Sequence, residues 1–103
     1  MILPLAVAPA AEQELHAAAE RYDAQQPGLG DAFLRSLDAC LARVQRFPRS
    51  FPEDEHGIRS ALLRRFPYVV LFRVDERRIE VIAVWHGRRD PAGWQRRTAG
   101  PTR

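Results

Sequence analysis

The chain contains no lysine; all 16 of its basic residues are arginine. Schiff-base chemistry and a P-loop are therefore excluded, because both need a lysine amine. Arginine instead binds phosphate and carboxylate through two parallel N–H donors. Cysteine is nearly absent too, with Cys40 standing alone. One thiol makes no internal disulfide and no cysteine-based zinc cluster, so a reducing compartment, the cytoplasm, is expected. No run reaches the roughly 18–20 apolar residues of a membrane span, and no membrane partner is expected. Residues 2–11 (ILPLAVAPAA) are apolar, but they lack a basic flank and carry two prolines, unlike a secretory leader. Metal-ligand spacing, a Gly-rich phosphate loop and a Ser-His-Asp arrangement are all missing. No metal and no cofactor is therefore expected.

What is present fits one domain. A chain of 103 residues buries about 60–65% of its unfolded surface and has a small core. Residues 1–97 are read as that domain, and 98–103 as a frayed tail. The apolar fraction of 46% is too high for a disordered chain. Charge is divided unevenly. Residues 1–55 hold 5 Arg against 9 acids, whereas residues 56–103 hold 11 Arg against 4. A positive C-terminal half suits an acidic partner or a polyanion, though solvated arginines on a sheet face would give the same count.

Hydrophobic periodicity places the elements. Ile2–Val7 is partly β-branched but interrupted by Pro4, so it reads as a short edge strand. From Ala10 to about Gln25, residues Ala11, Leu15, Ala18, Ala19 and Tyr22 form one helical stripe. Gln26–Pro27–Gly28 breaks it. A second helix puts Phe33, Leu37, Leu41, Val44 and Phe47 on one face and ends before Pro48. The short link predicts an antiparallel helical hairpin. Residues 48–57 are a loop. Ile58–Arg65, Tyr68–Val74 and Ile79–His86 are three strands joined by short turns, hence antiparallel neighbours. The last of these (IEVIAVWH) is apolar on both faces, so it lies centrally, and Trp85 continues the inward set Ile79, Val81, Ala83. Asp90–Pro91 starts a short helical turn carrying Trp94. The order β-α-α-β-β-β defines an α+β fold, an antiparallel sheet with the helical hairpin on one face.

Few side chains offer acid–base chemistry. His16 and His56 sit among acids in exposed contexts. His86 follows the buried strand and precedes Gly87, Arg88 and Arg89. It suits titration beside a phosphate, or simply a cap on the strand end. Arg73 interrupts the apolar run VVLFRV. It must reach solvent, pair with an acid, or serve a site. By period 2, Arg59 and Arg65 share a face and Arg64 lies opposite.

Gly57–Ile58–Arg59, then Phe66–Pro67–Tyr68–Val69–Val70–Leu71–Phe72–Arg73–Val74, then Val84–Trp85–His86–Gly87–Arg88–Arg89–Asp90–Pro91 with Trp94, together resemble the RelE/ParE superfamily of type II toxins. The resemblance covers about residues 1–95. It implies a toxin neutralised by a cognate antitoxin with an acidic, partly disordered C-terminal segment, in a higher-order complex. RelE-like members cleave mRNA on the ribosome, and ParE-like members poison DNA gyrase. The RelE-like route typically uses lysines, arginines and a tyrosine near the C-terminus. This chain has no lysine and no tyrosine after Tyr68. The resemblance is thus more ParE-like, a non-enzymatic gyrase poison with Arg88, Arg89 and Arg73 as target-binding candidates. Two alternatives stay open. One is a ribosome-dependent endoribonuclease using His86, Arg59, Arg65 and Arg73. The other is an inactive relative that acts only as a binding partner.

Overall fold

The computed structural model describes residues 2–99. Strand β1 (Leu5–Val7) leads into helix α1 (Pro9–Gln25) and then helix α2 (Leu29–Arg46). A single 3-10 turn at Pro48–Ser50 precedes β2 (Arg59–Leu62), β3 (Tyr68–Val74), β4 (Ile79–His86) and α3 (Ala92–Ala99). Thr98 and Ala99 of the expected tail thus lie in α3, and residues 100–103 fall outside the described residues.

The two long helices form as their patterns dictate. Pro9 occupies the first turn of α1, where its missing N–H costs nothing. Ala11 and Ala18 are fully buried along its stripe, with Leu15 and Tyr22 packed beside them. At the start of α2 the N-cap is Gly28, which has no side chain to offer. The Asp23 carboxylate from α1 substitutes, accepting from the N–H groups of Gly28 (3.0 Å) and Gly30 (3.1 Å). Gly30 also sets the interhelical approach: a Cβ there would lie 2.5 Å from the Ala19 carbonyl oxygen. The buried stripe of α2 is Phe33, Leu37, Cys40 and Val44. Leu41 is only half-buried, and Phe47 is 59% exposed, because the chain has left helical geometry there to enter Pro48. Cys40 takes the core place expected of Leu41.

The sheet order is β1-β4-β3-β2. Strands β2, β3 and β4 are antiparallel neighbours, and β1 sits at the edge as expected. The sheet is nevertheless mixed, because β1 pairs parallel with β4 (Leu5↔Ile79, Val7↔Val81). The short-turn constraint that makes neighbours antiparallel does not reach β1, which joins β4 only through the hairpin and two more strands. β2 is also shorter than its apolar pattern predicts. Leu63 and Phe66 leave the strand to bury in the core, and the chain turns through Arg65 at φ 75°. Arg59 and Arg65 therefore do not share a strand face.

A bulge in β4 divides the core in two. The register runs Leu71↔Ala83 and Phe72↔Val81, which leaves Ile82 without a partner. Ile79, Val81 and Val84 face the helical hairpin, whereas Ile82, Ala83 and Trp85 face the other side. One extra residue reverses the parity of everything after it. Trp85 is buried as expected, at 2% exposure, but against the opposite face from Ile79 and Val81. The hairpin-side core centres on Phe33, whose ring lies 5.5 Å from Phe66 and 5.1 Å from Tyr68, both edge-on. The second core gathers Ile58, Leu71, Ile82, Ala83, Trp85 and Trp94 under α3. Here Gly93 permits contact, since a Cβ would meet the Trp85 ring at 2.6 Å.

Two outcomes test this division. Trp85→Ala should lower stability by about 3–5 kcal/mol, the range for a large aromatic removed from a core. That is a large share of the roughly 5–15 kcal/mol a domain possesses. A near-native melting temperature would contradict the second core. Burial in the hairpin-side core pushes the Cys40 thiol above its ordinary pKa, against a smaller opposing pull from Arg43. Cys40 should therefore resist alkylation at mildly alkaline pH until the protein unfolds. Its labelling rate should rise with denaturant in step with loss of circular dichroism.

Candidate functional site

The last residues of β4 and the turn after it form a rigid corner. The Gly87 N–H donates to the Pro67 carbonyl (2.8 Å), and the Arg89 N–H to the His86 carbonyl (3.0 Å). Asp90 caps α3 as its position before Pro91 predicts, its carboxylate accepting from the Ala92 N–H at 2.9 Å. The His86 Nδ1 accepts from the Arg88 N–H at 3.0 Å. In the neutral ring the proton therefore resides on Nε2, a free donor. The ring stands edge-on to Tyr68, with centroids 5.2 Å apart. His86 does cap the strand end, and it keeps one nitrogen for other work.

The arginines of this corner differ. Arg88 is exposed. The Arg89 guanidinium carbon lies over Trp85, 3.9 Å from the ring centroid. Among the described residues, no carboxylate pairs with either. Two depressions meet here. On the outer sheet face an open groove of about 420 Å³ runs between the 52–58 loop and α3, floored by Val69, Leu71, Trp85 and Trp94. On the α1 side, a smaller cavity of about 90 Å³ is lined by Glu14, Ala17, Arg21, Tyr68, Val84, His86 and Arg89. His86 and Arg89 border both.

The other arginines singled out by sequence are placed elsewhere. Arg73 lies opposite Glu80 in register and pairs with it at 3.5 Å. It is five residues along β3 from Tyr68, the partner of His86, so about 17 Å separates it from the corner at roughly 3.3 Å per residue. Arg59 is turned onto the preceding loop. It donates to the carbonyls of Arg49 (3.1 Å) and Phe51 (2.8 Å) and pairs with Glu53 at 3.2 Å. Arg65 sits in the turn after β2 with its guanidinium 5.7 Å from the Phe66 ring centroid. Arg59, Arg65, Arg73 and His86 therefore do not converge on one point. His16 and His56 are exposed beside Glu12 and Glu55.

Sequence reasoning missed three residues at this corner. β1 ends at Val7, and the Ala8 N–H donates to Val81, so among the described residues the rest of that β4 edge has no strand beside it. Glu14 accepts from the Val84 N–H at 3.0 Å, and Arg97 donates to the Ile82 carbonyl at 3.2 Å. Glu14 and Arg97 also pair with each other at 2.5 Å. Two side chains thus complete the edge that a strand would otherwise occupy. Arg21 is the third, donating to the Tyr68 hydroxyl at 2.5 Å. Among the described residues, no three His, Cys, Asp or Glu side chains gather to hold a metal ion. No helix there is long and apolar enough to cross a membrane.

The fold and corner can now be set beside known proteins. No curated protein matches the chain. It is similar in fold to a solved chain of the chromosomal ParDE TA system from P. aeruginosa, with a TM-score of 0.73 and 19% identity. That similarity covers 82% of this chain and 96% of the other. The model of the ParE toxin of the type II toxin-antitoxin system parDE matches residues 5–91, from β1 through the strand-end corner to Pro91. That span takes in every strand and both long helices, and the chain belongs to the ParE toxin family of type II toxin–antitoxin systems.

Proposed function

We propose that this chain inhibits growth in the cytoplasm by binding and poisoning DNA gyrase, and that a cognate antitoxin with an acidic, partly disordered C-terminal segment neutralises it in a higher-order complex. The observation that carries the reading is the corner after β4. Arg88 and Arg89 are exposed, have no carboxylate partner among the described residues, and sit on a turn fixed by backbone hydrogen bonds. Such a turn presents cationic donors to a partner at little entropic cost. Ribonuclease chemistry asks for something else. It requires a base, an acid and a cation held around one phosphate, within hydrogen-bond reach. The separation of Arg73 and Arg59 from His86 weighs against that arrangement. The absence of lysine and of a late tyrosine points the same way.

Inducing the chain in cells discriminates the readings. A gyrase poison should leave mRNA intact, block replication, induce the DNA-damage response and give filaments. Rapid mRNA cleavage with early loss of translation would instead establish the nuclease. Growth inhibition should be lost in an Arg88→Ala/Arg89→Ala variant that still binds antitoxin. Each charge-assisted contact removed is commonly worth about 1.5–3 kcal/mol. Melting temperature measured on the same proteins separates this from a structural effect, since Arg89 also covers Trp85. Arg88→Ala alone should leave it unchanged. Full toxicity from the stable double variant would remove the corner from the target-binding surface.

The antitoxin half has its own test. A segment that folds on binding gives up about 2–5 kcal/mol in ordering, and the positive C-terminal half should speed its encounter. The association rate should fall markedly as salt is raised. An unchanged rate would contradict an acidic partner segment.

A further inference from the structure

We infer that the small cavity between α1 and the end of β4 is an oxyanion pocket, built to take one aspartate or glutamate side chain from a protein partner. The proposal does not depend on gyrase being the target. Its basis is the donor balance of the cavity wall. Arg21 and Arg89 both line it, and the Arg21 guanidinium reaches the Tyr68 hydroxyl. The Tyr68 hydroxyl accepts from Arg21 at 2.5 Å, so its own proton is left to donate. The Tyr68 ring is buried while the residue lines the cavity, so the hydroxyl can donate to a group bound there. The His86 Nδ1 is occupied by the Arg88 N–H, which leaves Nε2–H as a further donor. The sole carboxylate in the wall is Glu14, and both its oxygens are already engaged, by the Val84 N–H and by Arg97. The cavity therefore offers donors and positive charge with no competing free acceptor side chain in its lining.

Shape and charge favour a carboxylate. The volume of about 90 Å³ is room for several waters. That accommodates a planar carboxylate and the start of its stem. A tetrahedral phosphate is bulkier and carries more charge beside Glu14. Ala17 and Val84 give the wall an apolar patch against which a methylene can rest. Guanidinium forks match planar carboxylates bidentately. Arg21 lies on α1, 65 positions before His86 in the sequence, so the pocket exists only in the folded chain.

The test uses the intact chain with acetate and inorganic phosphate as separate probes at low ionic strength, followed by NMR of arginine side-chain, histidine and tyrosine signals. Acetate should give saturable shifts at Arg21, Tyr68, His86 and Arg89. Arg21→Gln should weaken this binding about tenfold or more, as expected for loss of one charge-assisted contact. Arg64→Gln, at an exposed turn position, should not. Ala17→Leu provides a second variant that fills the cavity from an exposed helix position and keeps every charge. It should abolish acetate saturation while the chain stays folded. Phosphate binding more tightly than acetate at the same residues would overturn the carboxylate assignment in favour of a nucleic-acid backbone. Non-saturating shifts spread over many arginines, or acetate binding untouched in a folded Ala17→Leu protein, would overturn the pocket itself.

Discussion

Strand β4 must be kept dry on both faces, and most of the architecture follows from that. Ile79, Val81 and Val84 face the helical hairpin, and Ile82, Ala83 and Trp85 face the opposite side. A strand apolar on both faces cannot sit at a solvated surface, so two covers are required. The hairpin supplies one, and α3 with the 52–58 loop supplies the other. The bulge at Ile82 turns the large Trp85 ring toward the smaller cover. Trp94 and the close approach of Gly93 then complete a second core on the face that holds Ile58, Val69, Leu71, Ile82 and Ala83.

The same strand explains why the corner is both rigid and exposed. Beyond Val81 its β1-side edge has no partner strand among the described residues, and Glu14 and Arg97 take that role through side chains. Their ion pair joins α1 to α3 across the strand end. The turn carrying Arg88 and Arg89 leaves from this braced position. Arg89 closes over Trp85 and at the same time borders both depressions. One side chain thus belongs to the outer core and to the candidate binding surface, so stability and toxicity must be measured together on any variant of it.

Much of this was legible in the sequence. The bounds of β3 and β4, the helical hairpin, the Asp90 cap and the edge position of β1 all follow from period, proline and turn chemistry. What escaped has physical causes. The parallel pairing of β1 is a long-range choice that no local pattern encodes. The bulge is invisible because Ile82 and Ala83 are both apolar, and either parity looks acceptable. The apolar pattern overextends β2 because Leu63 and Phe66 are apolar for the core, not for a strand. At the corner, the segment His86–Asp90 stands out by composition. Glu14 and Arg97 are separated by 83 positions and meet only through the fold. Arg59 reads as a strand arginine, yet its donors serve loop carbonyls.

The central functional claim is that a ParE-family corner built of exposed arginines acts by binding gyrase, without catalysis of its own. Purified chain added to gyrase, ATP and relaxed plasmid measures this directly. The account predicts that supercoiling falls and gyrase-dependent DNA breaks accumulate, and that purified antitoxin reverses both. Undiminished supercoiling, together with cleavage of mRNA on added ribosomes, would contradict it.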